Sequence, residues 1–253
     1  MVELYIFVLG LLFGSFYNVV GLRLPKGESI VFPGSHCPKC NHKLSWYENI
    51  PLISYIFLKG RCKKCKCTIS AWYPAIELFT ALLFLISYYV FGISEEFFIS
   101  IVISSLVSII FVSDVNYMII LDSPLVIGSI LICLIRFIYS DFNSVLYSLL
   151  NGIIIFGIMY LIMLLGNFIF KKESLGGGDI KLSFVAGLAL GPKLGIFYII
   201  LAAFLAFPYA VFVTIRNKEN MLPFGPFLVS SLLIIYLNSN FFTQFINKLL
   251  GLY

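Results

Sequence analysis

Two acids and four thiols stand out in a chain of 253 residues that is 60% hydrophobic and 11% charged. Asp114 ends the apolar run Phe111-Val112-Ser113-Asp114, and Asp179 follows Gly176-Gly177-Gly178. A carboxylate at bilayer depth costs roughly 2.5–3.5 kcal/mol even on the lowest scales. Two such acids, each at the edge of a different apolar segment, point to a site. Brought together, two carboxyls can share one proton, so that one acts as a base toward water and the other as an acid. The second chemistry lies in Cys37-Pro38-Lys39-Cys40 and Cys62-Lys63-Lys64-Cys65. Each pair offers two thiolates from one tight turn, and together they fill a tetrahedral zinc shell. Four thiolates close the shell, so the metal is structural rather than catalytic. His36, His42 and Cys67 are competing ligands by type and are read as bystanders. Cys133, inside an apolar segment, reads as a small apolar residue.

The elements that must position these groups are membrane helices. Mean hydropathy is +1.02, with 17% aromatic residues. Eight apolar segments fall at about 3–22, 74–92, 97–113, 119–139, 145–170, 180–191, 194–215 and 223–238. They predict an all-α polytopic membrane protein of about eight transmembrane helices. A cytoplasmic zinc-knuckle insertion separates helices 1 and 2. The short sixth segment and the seventh can form a tight hairpin through Gly191-Pro192-Lys193. Met1 to Val20 has no basic start and is followed by Arg23 and Lys26, which reads as a retained helix rather than a cleaved signal. Gly10 and Gly14 give that helix a face for close packing. Three parts follow: a first helix at 1–22, a cysteine-bearing region at 23–73 and a membrane domain at 74–253.

Charge sets the orientation. Fourteen of the 17 Lys and Arg fall in the 23–72 block, the 171–181 loop and the 216–220 loop, all on one side of this topology. The positive-inside rule makes that side cytoplasmic and both termini external. Asp114 and Asp179 then emerge on the cytoplasmic face together. The net charge of +5 reflects these loops and implies a bilayer, not nucleic acid. Asp122-Ser123-Pro124 resembles a helix start, so Asp122 is read as a cap. Asp179 could cap its own segment. However, the glycines before it would also let an extended substrate backbone lie against the chain.

The ordered motifs resemble the type IV prepilin peptidases, membrane aspartic proteases of the Gly-x-Gly-Asp class. The likeness runs through Phe13 to Val20, Ser35 to Cys40 and Asn49 to Tyr55. It continues through Lys59 to Cys65, Tyr73 to Leu78, Asp114 to Asp122, Gly176 to Lys181 and Pro223 to Phe227. The resemblance implies that Asp114 and Asp179 are the catalytic acids and that prepilins or pseudopilins are the substrates. The chain would sit in a bacterial cytoplasmic membrane. The family's long form, with the cysteine block, removes a short basic leader and then N-methylates the new amino terminus using S-adenosylmethionine. Gly60, Arg61 and Glu77 are the expected methyl-donor residues: a turn, a cation for a carboxylate, and an acid for an amine or ribose. Glu28, Glu48, Glu173 and Glu219 are candidate contacts for a basic leader. Two positions depart from the family pattern. Leu121 stands where proline precedes the acid at 122, and Trp72 stands where arginine precedes Tyr-Pro. The residues alone leave three other readings: a proton- or cation-coupled transporter, a non-catalytic zinc-knuckle assembly scaffold, and an intramembrane protease of the presenilin type.

Overall fold

The computed structural model describes residues 1–172, 174–217 and 223–251, and the described residues contain helices and no strands. The order is α1 Val2–Arg23, α2 Ile53–Phe57, α3 Trp72–Phe91, α4 Glu95–Tyr117, α5 Asp122–Tyr139, α6 Phe142–Phe170, α7 Gly177–Asn217, α8 Gly225–Leu237 and α9 Ser239–Leu249. Among the described residues, six helices are long and apolar enough to cross a membrane when α7 is taken as one, or up to seven if α8 and α9 count as one bent span. The chain is an integral membrane protein built of helices, with the cysteine block between α1 and α3.

Helix packing in a bilayer gains little from hydrophobicity and depends on close approach and interhelical hydrogen bonds. Both operate here. A methyl group on Gly10 would lie 2.5 Å from the Ala81 Cα, and one on Gly14 would lie 2.7 Å from the Glu77 Cα, so α1 and α3 touch along the expected glycine face. Gly21 meets Val112 of α4 in the same way. Buried hydroxyls join α3 to α4 through Ser87–Ser100 at 2.7 Å and Thr80–Ser108 at 2.8 Å. Tyr17 of α1 donates to Ser105 of α4 at 2.6 Å. Each such bond is worth about 0.6 kcal/mol on average. α4 is the central helix. It carries 14 buried residues, with Asp114 near its last turn.

The Gly191 expectation survives in physical form. α7 is continuous hydrogen-bonded helix except at Gly191, where φ is 73° and ψ is 179°. Gly187 lies against Asn151 and Gly152, and Gly195 lies beside Ile155. Tyr198 is back beside Ser183. The chain therefore doubles back at Gly191, and residue 179 and the residues after 195 belong to neighbouring limbs. Arg136 of α5 donates to the Leu188 and Ala189 carbonyls at 3.2 and 3.3 Å, placing a cation on the carbonyls that end the first limb.

One element was not anticipated. α9 turns 91° away from α8 after residue 238. Its Phe242 and Phe245 pack on Phe197 with ring centroids 5.4 and 6.1 Å apart. An amphipathic helix has no unbroken apolar run, so a search for spans passes over it.

Candidate active site

Asp114 reaches the site from the last turn of α4, and Asp179 from the first turn of α7. Both are buried, at 4% and 8% exposure. The two carboxyls lie within electrostatic reach of each other. The Asp114 Oδ2 is enclosed without a hydrogen-bond partner, and an unpaired buried oxygen of this kind is costly unless function requires it.

Glycines build the seam around the pair. A methyl group on Gly225, the first residue of α8, would lie 2.7 Å from Asp114 Oδ2 and 3.0 Å from Ile120 Cδ1. One on Gly176 would lie 3.2 Å from Asp179 Oδ2, and one on Gly178 would lie 2.7 Å from Ile120 Cβ. Ile120 thus spans the strip between the two glycine corners. The backbone N–H of Gly225 faces the Asp114 carboxyl, and that of Gly176 faces the Asp179 carboxyl. The middle glycine, Gly177, has no neighbour within 4 Å of such a methyl. Of the triple glycine, the third leaves no room for a methyl group and the first leaves it tight. A cavity of about 590 Å³ lies elsewhere, around Arg136, Asp141 and Asn151 at the far ends of α5 and α6. It contains neither acid, so size alone does not find this site.

Asp122 is not the helix cap expected of it. It is the first residue of α5, and no side-chain bond caps that helix. Both its carboxylate oxygens accept instead from Lys181 Nζ, at 2.8 and 2.7 Å. The pair ties the start of α5 to the start of α7, two residues past Asp179. Asp122 is therefore engaged by a cation, which separates it from the two enclosed acids.

The four cysteines converge. The sulfurs of Cys37, Cys40, Cys62 and Cys65 all lie within 4.8 Å of one another. Cys37 to Cys65 is 3.8 Å, and Cys40 to Cys62 is 3.9 Å. A tetrahedral zinc with bonds of about 2.3 Å separates its sulfurs by about 3.8 Å, so the cluster fits that ion. The N–H groups of Cys40 and Lys39 point at the Cys37 sulfur and hold its thiol down to about 6, which favours the thiolate a metal needs.

The two knuckles are one structure used twice, 25 positions apart. Cys37 N–H donates to the His42 carbonyl at 3.0 Å, and Cys62 N–H to the Cys67 carbonyl at 2.9 Å. Leu44 donates to Ser35 at 2.9 Å, and Ile69 to Gly60 at 2.8 Å. Asn41 and Lys66 share a left-handed φ, 52° and 59°. His36↔Lys43 and Arg61↔Thr68 are the matching bridges.

Comparison with known proteins decides the family. Residues 8–91 match the Bacterial Peptidase A24 N-terminal domain, and residues 101–211 match the Type IV leader peptidase family. The chain is 36% identical to a prepilin leader peptidase/N-methyltransferase of Bacillus subtilis (strain 168), covering 96% of this chain and 97% of that one. It is 32% identical to a protein of the same description from Vibrio cholerae, over 90% and 94% of the two chains. A third, from Pseudomonas aeruginosa, is 30% identical over 87% and 85%. No solved structure matches. The chain belongs to the type IV leader peptidase family.

The remaining expected site residues of this leader peptidase have local roles. Gly60 sits in a turn at φ 66°, where a methyl would meet Tyr55 Oη at 2.9 Å. Glu77 accepts from the Leu52 N–H at 2.7 Å and so ties the block to α3. Arg61 is exposed. Glu48 is buried and accepts from the Ser45 N–H at 2.9 Å and from His42 Nε2 at 3.2 Å, so it braces the first knuckle and is withdrawn from any leader. Glu28 is exposed, while Glu173, Lys218 and Glu219 lie outside the described residues. Gly225 is the residue that sequence reasoning undervalued. Its motif, Pro223-Phe224-Gly225-Pro226-Phe227, was visible, but nothing in the string said that Asp114 lies against it.

Proposed function

We propose that this type IV leader peptidase cuts with Asp114 and Asp179 as one dyad. The observation that carries the assignment is the enclosed, partnerless Asp114 Oδ2 within electrostatic reach of Asp179. One proton is held between the two carboxyls. The ionised member takes a proton from water as it attacks, and the protonated member donates to the scissile carbonyl oxygen. On collapse of the tetrahedral centre, the leaving amine takes up the proton that the base received, and the former carbonyl oxygen returns its proton to the dyad. Because both acids are shut in, the seam between α4, α7 and α8 has to part before a peptide can enter.

The substrates are prepilins or pseudopilins, whose apolar segment enters from the bilayer while the basic leader stays on the side of the cysteine block. The clustering of Lys and Arg supports a cytoplasmic placement of that side. Of the two candidate acids among the described residues, Glu28 is exposed and Glu48 is buried, so Glu28 is the one of that pair to meet a leader. The division of labour follows the chain. Residues 1–22 anchor, 23–73 serve methyl transfer, and 74–253 carry the peptidase.

S-adenosylmethionine, when bound, supplies the methyl group for the new amino terminus. Arg61, which is exposed, would pair with its carboxylate, Gly60 would shape the turn that carries Arg61, and Glu77, bonded to the Leu52 N–H, would hold the block in register on α3. The ion in the Cys37, Cys40, Cys62 and Cys65 shell is zinc, in a structural role. Family membership over nearly the whole chain disfavours the transporter and scaffold readings.

The test is a single assay. Purified protein is incubated with a prepilin and S-adenosylmethionine, and mass spectrometry scores leader loss and methyl gain separately. The proposal expects both products, with Arg61→Gln losing the methyl and keeping the cut. Leader loss that persists in Asp114→Asn overturns the dyad.

A further inference from the structure

The metal cluster holds one thiol more than a tetrahedral ion needs. Cys67 Sγ lies 3.5 Å from Cys37 Sγ, as near as any sulfur of the shell and close to the spacing of about 3.8 Å that ligands of one zinc adopt. It also contacts Cys65. Cys67 falls outside the group of four whose sulfurs are all mutually within 4.8 Å, so it flanks the shell on its Cys37–Cys65 edge. The knuckle repeat gives the position meaning. The residue five places after the first cysteine is His42 in one copy and Cys67 in the other, a ligand type in both. The His42 ring is taken by Glu48. The Cys67 sulfur lies against the Cys37 sulfur instead.

The shell member next to it is the weak one. Cys37 and Cys62 are buried, whereas Cys65 is exposed. The Cys67 carbonyl is pinned by the Cys62 N–H at 2.9 Å, so its backbone is fixed on the cluster and only its side chain has to rotate.

We propose that Cys67 is an exchangeable fifth thiolate of this site, taking the place of Cys65 in the zinc shell when Cys65 is lost or modified. The proposal rests on reading the block as a zinc site. The exchange itself is local to one edge. Cys67 can serve for Cys65, its immediate neighbour. It does not serve for Cys40, whose sulfur sits beside Cys62 at 3.9 Å, whereas Cys67 sits beside Cys37.

The experiment uses full-length protein purified in detergent, with monodisperse elution required of every variant. Zinc per chain is measured by elemental mass spectrometry after dialysis. Cobalt is then substituted, and its sulfur-to-cobalt charge-transfer absorption reports the number of thiolates. The expected result is one zinc and a four-thiolate spectrum for the wild type and for Cys65→Ser. Cys65→Ser/Cys67→Ser and Cys40→Ser should each fall at least tenfold in zinc retained against a competing chelator. Loss of zinc from Cys65→Ser overturns the exchange, as does retention by the double variant. Retention by Cys40→Ser also overturns it, because three thiolates would then suffice without a substitute. A wild type without zinc removes the metal reading itself.

Discussion

Replacing Gly225 with alanine tests the seam where α8 meets the first acid. Gly225 has no left-handed φ to lose, so alanine is allowed by its backbone and the effect is steric. The added methyl would stand 2.7 Å from Asp114 Oδ2, with Ile120 Cδ1 at 3.0 Å behind it. Ordinary contact begins near 3.4 Å, so the carboxylate or α8 must move by about 0.7 Å. A misplacement of about 1 Å in a catalytic group costs roughly 10²-fold. On a logarithmic scale, about 0.7 Å costs roughly 25-fold, or about 2 kcal/mol of barrier. Single-turnover leader cleavage in detergent, at saturating prepilin, should therefore slow by that order while thermal stability holds. Gly177→Ala is the control, because nothing lies within 4 Å of its methyl. It should cut at close to the wild-type rate. A wild-type rate from Gly225→Ala would refute the packing of α8 against the acid.

Three more outcomes follow from the same structure. Asp122→Asn breaks an exposed ion pair, with side chains 62% and 52% accessible, and such pairs are worth about 0–1 kcal/mol. Its cleavage rate should fall less than about fivefold by this measure, and a loss as deep as that of Asp114→Asn would return Asp122 to the candidate acids. The Ser45 N–H, aided by His42, holds the Glu48 carboxyl below its ordinary 4.5. That stabilisation is fully present above about pH 4.5 and is lost as pH falls through the lower folded value. Glu48→Gln should loosen residues 35–50 by about 1 kcal/mol at pH 7, read by hydrogen exchange, and the gap from wild type should close toward acid. A gap that widens toward acid contradicts the assignment. Chelation should stop methyl gain while leader loss continues, since the acids sit on α4 and α7 outside the cysteine block. Mass spectrometry scores the two separately, and a parallel loss of both would join the block to the cut.

The two enclosed acids proposed as the dyad and the knuckles are legible because their residue types are expensive or reactive where they stand. Apolar context flagged Asp114, and Cys-x-x-Cys spacing fixes two ligands in one turn whatever surrounds it. Asp122 was misassigned because capping grammar is local. The Lys181 that engages it comes from 59 positions away. Gly225 was passed over because a glycine's role is set by its neighbour, and Asp114 reaches it only through the tertiary fold. Gly60 is accounted for by Tyr55 beside it, and Glu77 by the Leu52 amide. α9 is hidden by its interrupted pattern: the pairs Phe241-Phe242, Phe245-Ile246 and Leu249-Leu250 are separated by the polar pairs Thr243-Gln244 and Asn247-Lys248, which a search for continuous spans discards.

The central measurement is leader cleavage by purified Asp179→Asn, run beside methylation of a pilin whose leader has already been removed. Asparagine keeps the shape of the side chain and cannot cycle the proton. The dyad requires that cleavage disappear while the precut pilin still gains its methyl group, which shows that the protein is inserted and folded. Leader loss at the wild-type rate in that variant would contradict the pairing of Asp114 with Asp179.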